Sequence, residues 1–163
     1  MQRKKNKKGH AAHREIARRG FSAEVVTLMD LAHVRARNDG IETIEFSHVL
    51  TAMLYKADED ESIAQNFCLL GTVPSKVVSS VEKLCKSYVP YKPSGREFSP
   101  GMELVLEAAE TRASTEDRPA DVRDILYALL NCLDGKDESG NRILFVLLEI
   151  DHSTDLEILY AKA

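Results

Sequence analysis

The glycine–lysine pair Gly135-Lys136 is the stretch closest in type to a nucleotide-binding motif. A phosphate-binding loop follows the pattern Gly-x-x-x-x-Gly-Lys-Ser/Thr, in which backbone amides and the lysine surround the phosphates. Leu130 stands here at the position of the first glycine, and Asp137 stands at the position of the hydroxyl. We therefore expect an ordinary loop, and any ATPase would lie on another chain or beyond this segment.

The histidines and cysteines lack the spacing of a metal or catalytic site. Neither His33 nor His48 has a second ligand in a His-x-x-x-His arrangement. The three cysteines form no CxxC pair and lie beside apolar residues, which predicts buried thiols: Cys68, Cys85 and Cys132. We expect no metal, no cofactor, no catalytic residue and no enzymatic activity.

The basic and acidic residues are unevenly distributed. Residues 1–20 hold eight Lys/Arg and one Glu, whereas the other 143 residues hold 14 basic and 25 acidic groups. We expect a flexible arm over 1–20, in which 10–19 could form a short helix. Three roles stay open: a solubilising tail, contact with nucleic acid or another anionic surface, or docking onto an acidic partner or onto this chain's own acidic part. The candidate contacts to an anionic partner are Arg3, Lys4, Lys5, Lys7 and Lys8.

The hydropathy pattern favours a cytoplasmic chain without a membrane segment. No apolar run approaches the ~20 residues that cross a bilayer, and the first residues lack the apolar stretch of a secretory signal. With 163 residues, 44% of them apolar, the chain can bury the core of one domain.

The elements that would position these residues are predicted to be helices, and the sequence pattern of the first helix occurs twice. FSAEVVTLMDLAHVRA (21–36) and FSPGMELVLEAAETRA (98–113) place apolar residues at the same offsets of i, i+3, i+4, i+7 and i+11, the spacing of one helix face. Ser22 and Ser99 are suited to cap the first turns. The predicted buried residues are Val25, Leu28, Met29, Ala32 and Ala36, and Met102, Val105, Leu106, Ala109 and Ala113.

The similarity between the two halves continues along the chain. Residues 44–54 match 120–130 at an offset of 76, and 66–71 match 144–149 at an offset of 78. Two prolines and a glycine mark a linker over 88–97. The predicted helices are 22–38, 47–55, 62–70 and 74–87 in the first half, and 99–114, 123–133, 141–148 and 153–161 in the second. Because one short repeat cannot bury its apolar face alone, we expect one all-α domain of two packed repeats, 21–87 and 98–161.

These duplicated motifs resemble the N-terminal domain of the Clp/Hsp100 unfoldases. The similar residues are the Phe-Ser helix starts, the Ile44-Glu-Phe-Ser-His-Val-Leu stretch and the Leu-Leu-Gly71 ending, and they extend over about 21–160. The resemblance implies an all-α fold of eight helices as two pseudo-symmetric four-helix repeats. It also implies a mobile platform on which adaptors or substrates dock before an ATPase ring unfolds them. Chains made of this domain alone serve in the family as accessory subunits of Clp protease complexes.

The second helix of each repeat departs from the family pattern. In some Clp relatives an acidic residue there, together with a threonine cap on the first helix, receives phosphorylated arginine. Ser47 and Arg123 replace both acids here, so this specificity is not carried over. The resemblance still makes these helix starts candidate contacts for a partner: Ser22, Ser47, Ser99 and Arg123, with Tyr91 in the linker.

We therefore expect a non-catalytic protein-interaction domain of a Clp-type unfolding or proteolysis system. Its partners would be Clp ATPase or protease subunits, adaptor proteins or substrate peptides. Binding would use the seam between the repeats and the groove around the paired helix starts, because grooves between helices accept peptides that bury a few apolar anchors. The alternative is a small helical nucleic-acid-binding protein that uses the basic segment.

Overall fold

The regular structure of the described residues is helical, which confirms the all-α prediction. The computed structural model describes residues 5–87, 97–132 and 143–161, with side chains for 11–83, 97–131 and 144–161. The helices are α1 (Lys5–Arg18), α2 (Ala23–Asn38), α3 (Phe46–Lys56), α4 (Glu61–Leu69), α5 (Pro74–Ser87), α6 (Pro100–Ser114), α7 (Val122–Cys132), α8 (Ile143–Leu147) and a final 3₁₀ helix (Leu156–Tyr160). None of the helices in these ranges has the length and apolar character needed to span a membrane.

The predicted apolar stripes of α2 and α6 are confirmed residue for residue. All ten stripe positions are buried, and all of them except Ala36 belong to one shared core. α3 packs against α2 and α5, and α7 packs against α6 and the 3₁₀ helix. The two stripes therefore face their own neighbouring helices, as an amphipathic pattern requires.

α1 differs from the expected flexible arm. It begins at Lys5 rather than near residue 10, and it packs against α2. Ala12 and Ile16, one turn apart, are buried in the core. Arg19 then donates from Nε to Glu110 Oε1 at 2.8 Å and from Nη1 to Glu103 Oε2 at 3.1 Å. An apolar pair and an ion-pair network thus hold residues 11–19 on the folded domain, so this part of the basic segment docks onto the chain's own acidic surface.

Two backbone hydrogen bonds connect the helix starts of residues 21–87 with those of residues 98–161. The Ser22 amide donates to the Ala120 carbonyl at 2.9 Å, and the Ser99 amide donates to the Ile44 carbonyl at 3.0 Å. Ile44 also forms a parallel bridge with Phe98. Farther along, α5 packs against α8 and α4 against the 3₁₀ helix. We call this boundary between 21–87 and 98–161 the seam.

α4 and α8 end in the same backbone conformation. Gly71 after α4 has φ +78° and Glu149 after α8 has φ +57°. The Thr72 amide then donates to the Phe67 carbonyl at 2.9 Å, and the Ile150 amide donates to the Phe145 carbonyl at 2.8 Å. This is the left-handed helix ending that glycine favours. Only the first of the two endings has glycine in that position.

Cys68 corrects one expectation, because its thiol is exposed. The nine-residue α4 buries Ile63, Asn66 and Phe67, so the face that carries Cys68 and Leu69 points outward. The apolar neighbours of Cys68 in the sequence therefore do not imply a buried position. The thiols of Cys85 and Cys132 lie outside the described side chains.

Candidate docking site

The structure brings the predicted helix-start residues together in two groups. The hydrogen bond from Ser22 to Ala120 joins the start of α2 to the start of α7, where Arg123 lies. The hydrogen bond from Ser99 to Ile44 joins the start of α6 to the start of α3, where Ser47 lies. Ser22 is thus grouped with Arg123, and Ser99 with Ser47.

The start of α3 and the start of α6 form the more buried group. Ser47 and Ser99 are both buried, and the Ser99 hydroxyl oxygen accepts from the Met102 amide at 3.2 Å. His48 Nδ1 accepts from the Glu45 amide at 3.0 Å, which closes a capping box. Burial lowers the pKa of His48, and Arg35 adds to the effect, although Asp39 opposes it. Partner binding at Ser47 and Ser99 would require these helix starts to separate.

At the other group, Arg123 is held by its neighbour Asp121. Arg123 Nη2 lies 2.7 Å from Asp121 Oδ2, and the Arg123 amide donates to Asp121 Oδ1 at 2.9 Å. The hydrogen bond to Asp121 raises the pKa of Arg123. Ser22 likewise caps α2 by accepting from the Val25 amide at 3.3 Å. The charge of Arg123 is therefore compensated locally.

Carboxylates surround the start of α2. Burial raises the pKa of Glu24 in the first turn, and the nearby Asp60 and Asp121 raise it further. Asp60 itself caps α4 by accepting from the Ser62 and Ile63 amides. This helix start is therefore anionic, and it favours cations over phosphate groups.

A buried carboxylate, which the sequence pattern did not single out, anchors the C-terminal segment. Asp124 is fully buried and accepts from Arg118 at 2.6 and 2.9 Å, from the Tyr160 hydroxyl at 2.8 Å and from the Asp121 amide at 2.8 Å. Burial acts to raise the pKa of Asp124, but these donors outweigh it and hold the pKa below its ordinary value. The cluster ties the 3₁₀ helix to α7.

The seam carries an open groove of about 790 Å³. Leu69 and Leu70 at the end of α4 form one side, and the 3₁₀ helix with the segment before it forms the other. Leu69 is 40% exposed and Ile158 is 38% exposed. Carboxylates border the groove at Glu149, Asp151, Asp155 and Glu157. The sequence predicted binding at the seam but did not identify these residues.

A second groove, of about 310 Å³, lies between α2 and α3. Three of its lining residues are large, apolar or aromatic, and exposed: Leu31, Val34 and Tyr55. The Arg35 guanidinium stacks on the Tyr55 ring, 4.1 Å from its centroid. The groove therefore combines these exposed apolar and aromatic side chains with polar ones, namely Arg35, Asn38, Lys56 and Glu59.

The remaining predicted contacts cannot be placed on either groove. Arg3, Lys4 and Tyr91 lie outside the described residues, as does most of the predicted linker. Lys5, Lys7 and Lys8 fall within α1, but their side chains are likewise outside the described set. Their contact with an anionic partner stays a prediction.

Comparison with known proteins identifies no family. No protein-family model matches the chain, and no curated protein is significantly similar to it. The Clp resemblance therefore stays a prediction based on the duplicated motifs.

Proposed function

We propose that this chain is a non-catalytic docking domain of a Clp-type ATP-dependent unfolding or proteolysis system. It consists of two pseudo-symmetric four-helix repeats, 21–87 and 98–161. Its partners are Clp ATPase or protease subunits, adaptor proteins or substrate peptides, and it works in the cytoplasm.

The observation that carries this proposal is a reciprocal pair of backbone hydrogen bonds between the helix starts of the two repeats. In the sequence Ser22 corresponds to Ser99, and Ile44 corresponds to Ala120. In the structure Ser22 binds Ala120 while Ser99 binds Ile44. Such an exchange, in which equivalent residues make equivalent contacts, is typical of a two-fold interface. It supports a duplicated unit of the kind that the Clp resemblance implies.

The helix endings support the same duplication. The turn after α2 has Gly40 at φ +74°, and the turn after α6 has Asp117 at φ +51°, 77 residues later. Gly71 and Glu149 repeat this relation 78 residues apart. α2 and α6 therefore share a serine cap, and both pairs of helices, α2 with α6 and α4 with α8, are followed by a residue in the left-handed conformation.

Docking, rather than packing, accounts for the exposed residues between α2 and α3. Val34 is 52% exposed, and its counterpart in the second repeat is Thr111. Tyr55 has Asn131 as its counterpart. The second repeat forms the same helices with polar residues at these positions, so the fold does not require an apolar surface there. Exposed apolar grooves between helices are typical peptide-binding surfaces.

The proposal is tested by measuring equilibrium binding of the purified chain to each purified component of a Clp system from the same cell. Biolayer interferometry with the ATPase ring, the protease and the adaptors should give a saturable, specific interaction with at least one of them. A fluorescent oligonucleotide is titrated in parallel. The matched variant replaces Arg3, Lys4, Lys5, Lys7 and Lys8 by glutamine and keeps the buried Ala12 and Ile16 of α1. Tight oligonucleotide binding that this variant loses, with no Clp component bound, would refute the proposal.

A further inference from the structure

We propose that the seam groove binds a cationic peptide segment that inserts an aliphatic side chain between Leu69 and Ile158. This inference rests on the docking function proposed above and specifies the chemistry of the partner. The occupant has one or two aliphatic anchors flanked by lysine or arginine.

The aliphatic part of the proposal comes from the two sides of the groove. Leu69 extends from the last turn of α4, and Ile158 extends from the 3₁₀ helix across the seam. Both are more than a third exposed, although each belongs to an element whose other apolar residues reach the core. Next to the lining residues Gly71 and Glu149, the Thr72 hydroxyl donates to the Leu148 carbonyl at 2.6 Å and so joins the two halves. The groove thus has two exposed apolar residues, one from each half, beside a hydrogen bond that connects the halves.

The preference for a cationic peptide is inferred from the negative charge around these apolar residues. Four carboxylates line the groove, and none of the described lining residues is lysine or arginine. Glu157 is paired with Arg112 at 2.6 and 2.7 Å, so its charge is largely compensated. Glu149, Asp151 and Asp155 carry the remaining negative charge. A partner that brings its own cations gains attraction here, whereas an acidic partner is repelled.

Two of these three carboxylates are held by hydrogen bonds within the chain. Asp151 Oδ1 accepts from the Ser153 amide at 2.8 Å and from its hydroxyl at 2.6 Å, and these bonds lower the pKa of Asp151. Asp155 Oδ1 accepts from the Glu157 amide at 3.0 Å. Both groups lose little conformational entropy on binding, because their side chains are already oriented.

The first repeat does not present this combination. Gly71 is the counterpart of Glu149, and Val73 is the counterpart of Asp151, so the equivalent turn is uncharged. Negative charge and exposed aliphatic residues therefore occur together at the seam groove, whereas the equivalent turn of the first repeat lacks the charge. We therefore expect one such binding site for each chain.

The test uses the intact chain and fluorescein-labelled 12-residue peptides in fluorescence anisotropy. The probe has a Leu-Val-Leu anchor with two arginines on each side. One control peptide has glutamate in place of every arginine, and another has serine in place of every anchor residue. We expect the probe to bind about tenfold more tightly than either control, and its affinity to fall as salt screens the charges.

Two pairs of matched variants locate the binding. Glu149→Lys is compared with Glu107→Lys, a charge reversal at an exposed position on α6. Leu69→Ser is compared with Leu104→Ser, which changes an exposed leucine on α6 outside the grooves described above. We expect Glu149→Lys and Leu69→Ser each to weaken probe binding about 3- to 10-fold, whereas the controls leave it unchanged. Circular dichroism of each variant checks that the helices are intact.

Equal affinity for the arginine and glutamate peptides would overturn the inference, as would equal effects of Glu149→Lys and Glu107→Lys. Sedimentation of the chain alone provides a further test. A concentration-dependent dimer that Glu149→Lys abolishes would assign the groove to the basic segment of a second copy and would also overturn the inference.

The inference and the proposed function can fail separately. Probe binding without any Clp partner would refute the proposed function alone. A Clp partner that binds without probe binding would refute this inference alone.

Discussion

The buried ion pair between Arg118 and Asp124 gives the sharpest prediction about stability. Replacing Asp124 by alanine removes the acceptor of four hydrogen bonds and leaves the Arg118 guanidinium without its main partner. Removing one member of a buried pair costs about 3–5 kcal/mol. This is a large share of the roughly 5–15 kcal/mol that stabilises a domain. With an m-value of about 2 kcal/mol/M, the urea midpoint should fall by about 2 M.

The pairwise contribution is isolated by a double-mutant cycle with Arg118→Ala. We expect a coupling free energy of about 2–3 kcal/mol, measured by urea denaturation at pH 7. The matched control is the cycle for Arg112 and Glu157, which form an equally close but exposed pair. Because surface pairs contribute about 0–1 kcal/mol, the control coupling should stay below 1 kcal/mol. Equal coupling in both cycles would refute the interpretation that Asp124 anchors the C-terminal segment.

The same pair predicts a specific dependence on pH. The pKa of Asp124 is lower in the folded chain than its ordinary value of 3.8, so the unfolded chain takes up the proton first as the pH falls. The charged Asp124 carboxylate makes its full contribution to the free energy of unfolding above pH 3.8. This contribution is lost as the pH falls through the pKa of Asp124 in the folded chain. Asp124→Ala should therefore lose less stability than the wild type between pH 5 and pH 2.5, as measured by thermal unfolding. A parallel decline in both proteins would contradict this assignment.

Three further predictions concern capping, backbone strain and a buried histidine. Ser22→Ala and Ser99→Ala should each destabilise the domain by about 1 kcal/mol, and the corresponding glycine variants by a few tenths, in urea denaturation. Glu149→Gly should stabilise by about 0.5 kcal/mol because its positive φ suits glycine, whereas Gly71→Ala should destabilise by about 1 kcal/mol; effects of the same sign would contradict this. His33 is buried, neither ring nitrogen has a hydrogen-bond partner among the described residues, and burial lowers its pKa below 6.5. As the pH falls below 6.5, His33 is protonated in the unfolded chain before it is protonated in the folded chain, which destabilises the fold. His33→Leu should therefore reduce the drop in melting temperature between pH 7.5 and 5.5. An unchanged drop would refute the reasoning.

The sequence predicted the helices well, because their signals are local. The serine caps, the Pro100 that opens α6 and the 3.6-residue spacing of the stripes all act within a few turns. α5 was predicted with its observed limits, and the starts of α2 and α6 were predicted to within one residue. Where the signal was short, as over 153–161, the chain forms a five-residue 3₁₀ helix instead.

Contacts between residues far apart in the sequence were harder to predict, because no local sequence pattern indicates them. Ala12 and Ile16 lie in a strongly basic stretch, and their burial depends on α2 lying beside them. The link from Arg19 to α6 spans 91 residues to Glu110. For the same reason the sequence pattern did not single out Asp124. Its role depends on Arg118 and on Tyr160, which meets it only when the chain is folded.

Binding at the seam stays a prediction, and the sequence did not identify the residues that line the seam groove. Ser22 and Ser99 cap their helices. The groove residues Leu69 and Ile158 come from different halves, 89 positions apart. Only the packing of α4 against the 3₁₀ helix brings them together.

The most direct test of the central claim compares partner binding by the wild type and by the double variant Leu69→Ser/Glu149→Lys. The partner is the Clp component that the purified wild-type chain binds in biolayer interferometry. We predict that the double variant, with unchanged helicity and melting behaviour, binds this component at least tenfold more weakly, while Leu104→Ser/Glu107→Lys binds it like the wild type. Unchanged binding by the double variant, or no binding of any Clp component by the wild type, would contradict a docking function at the seam.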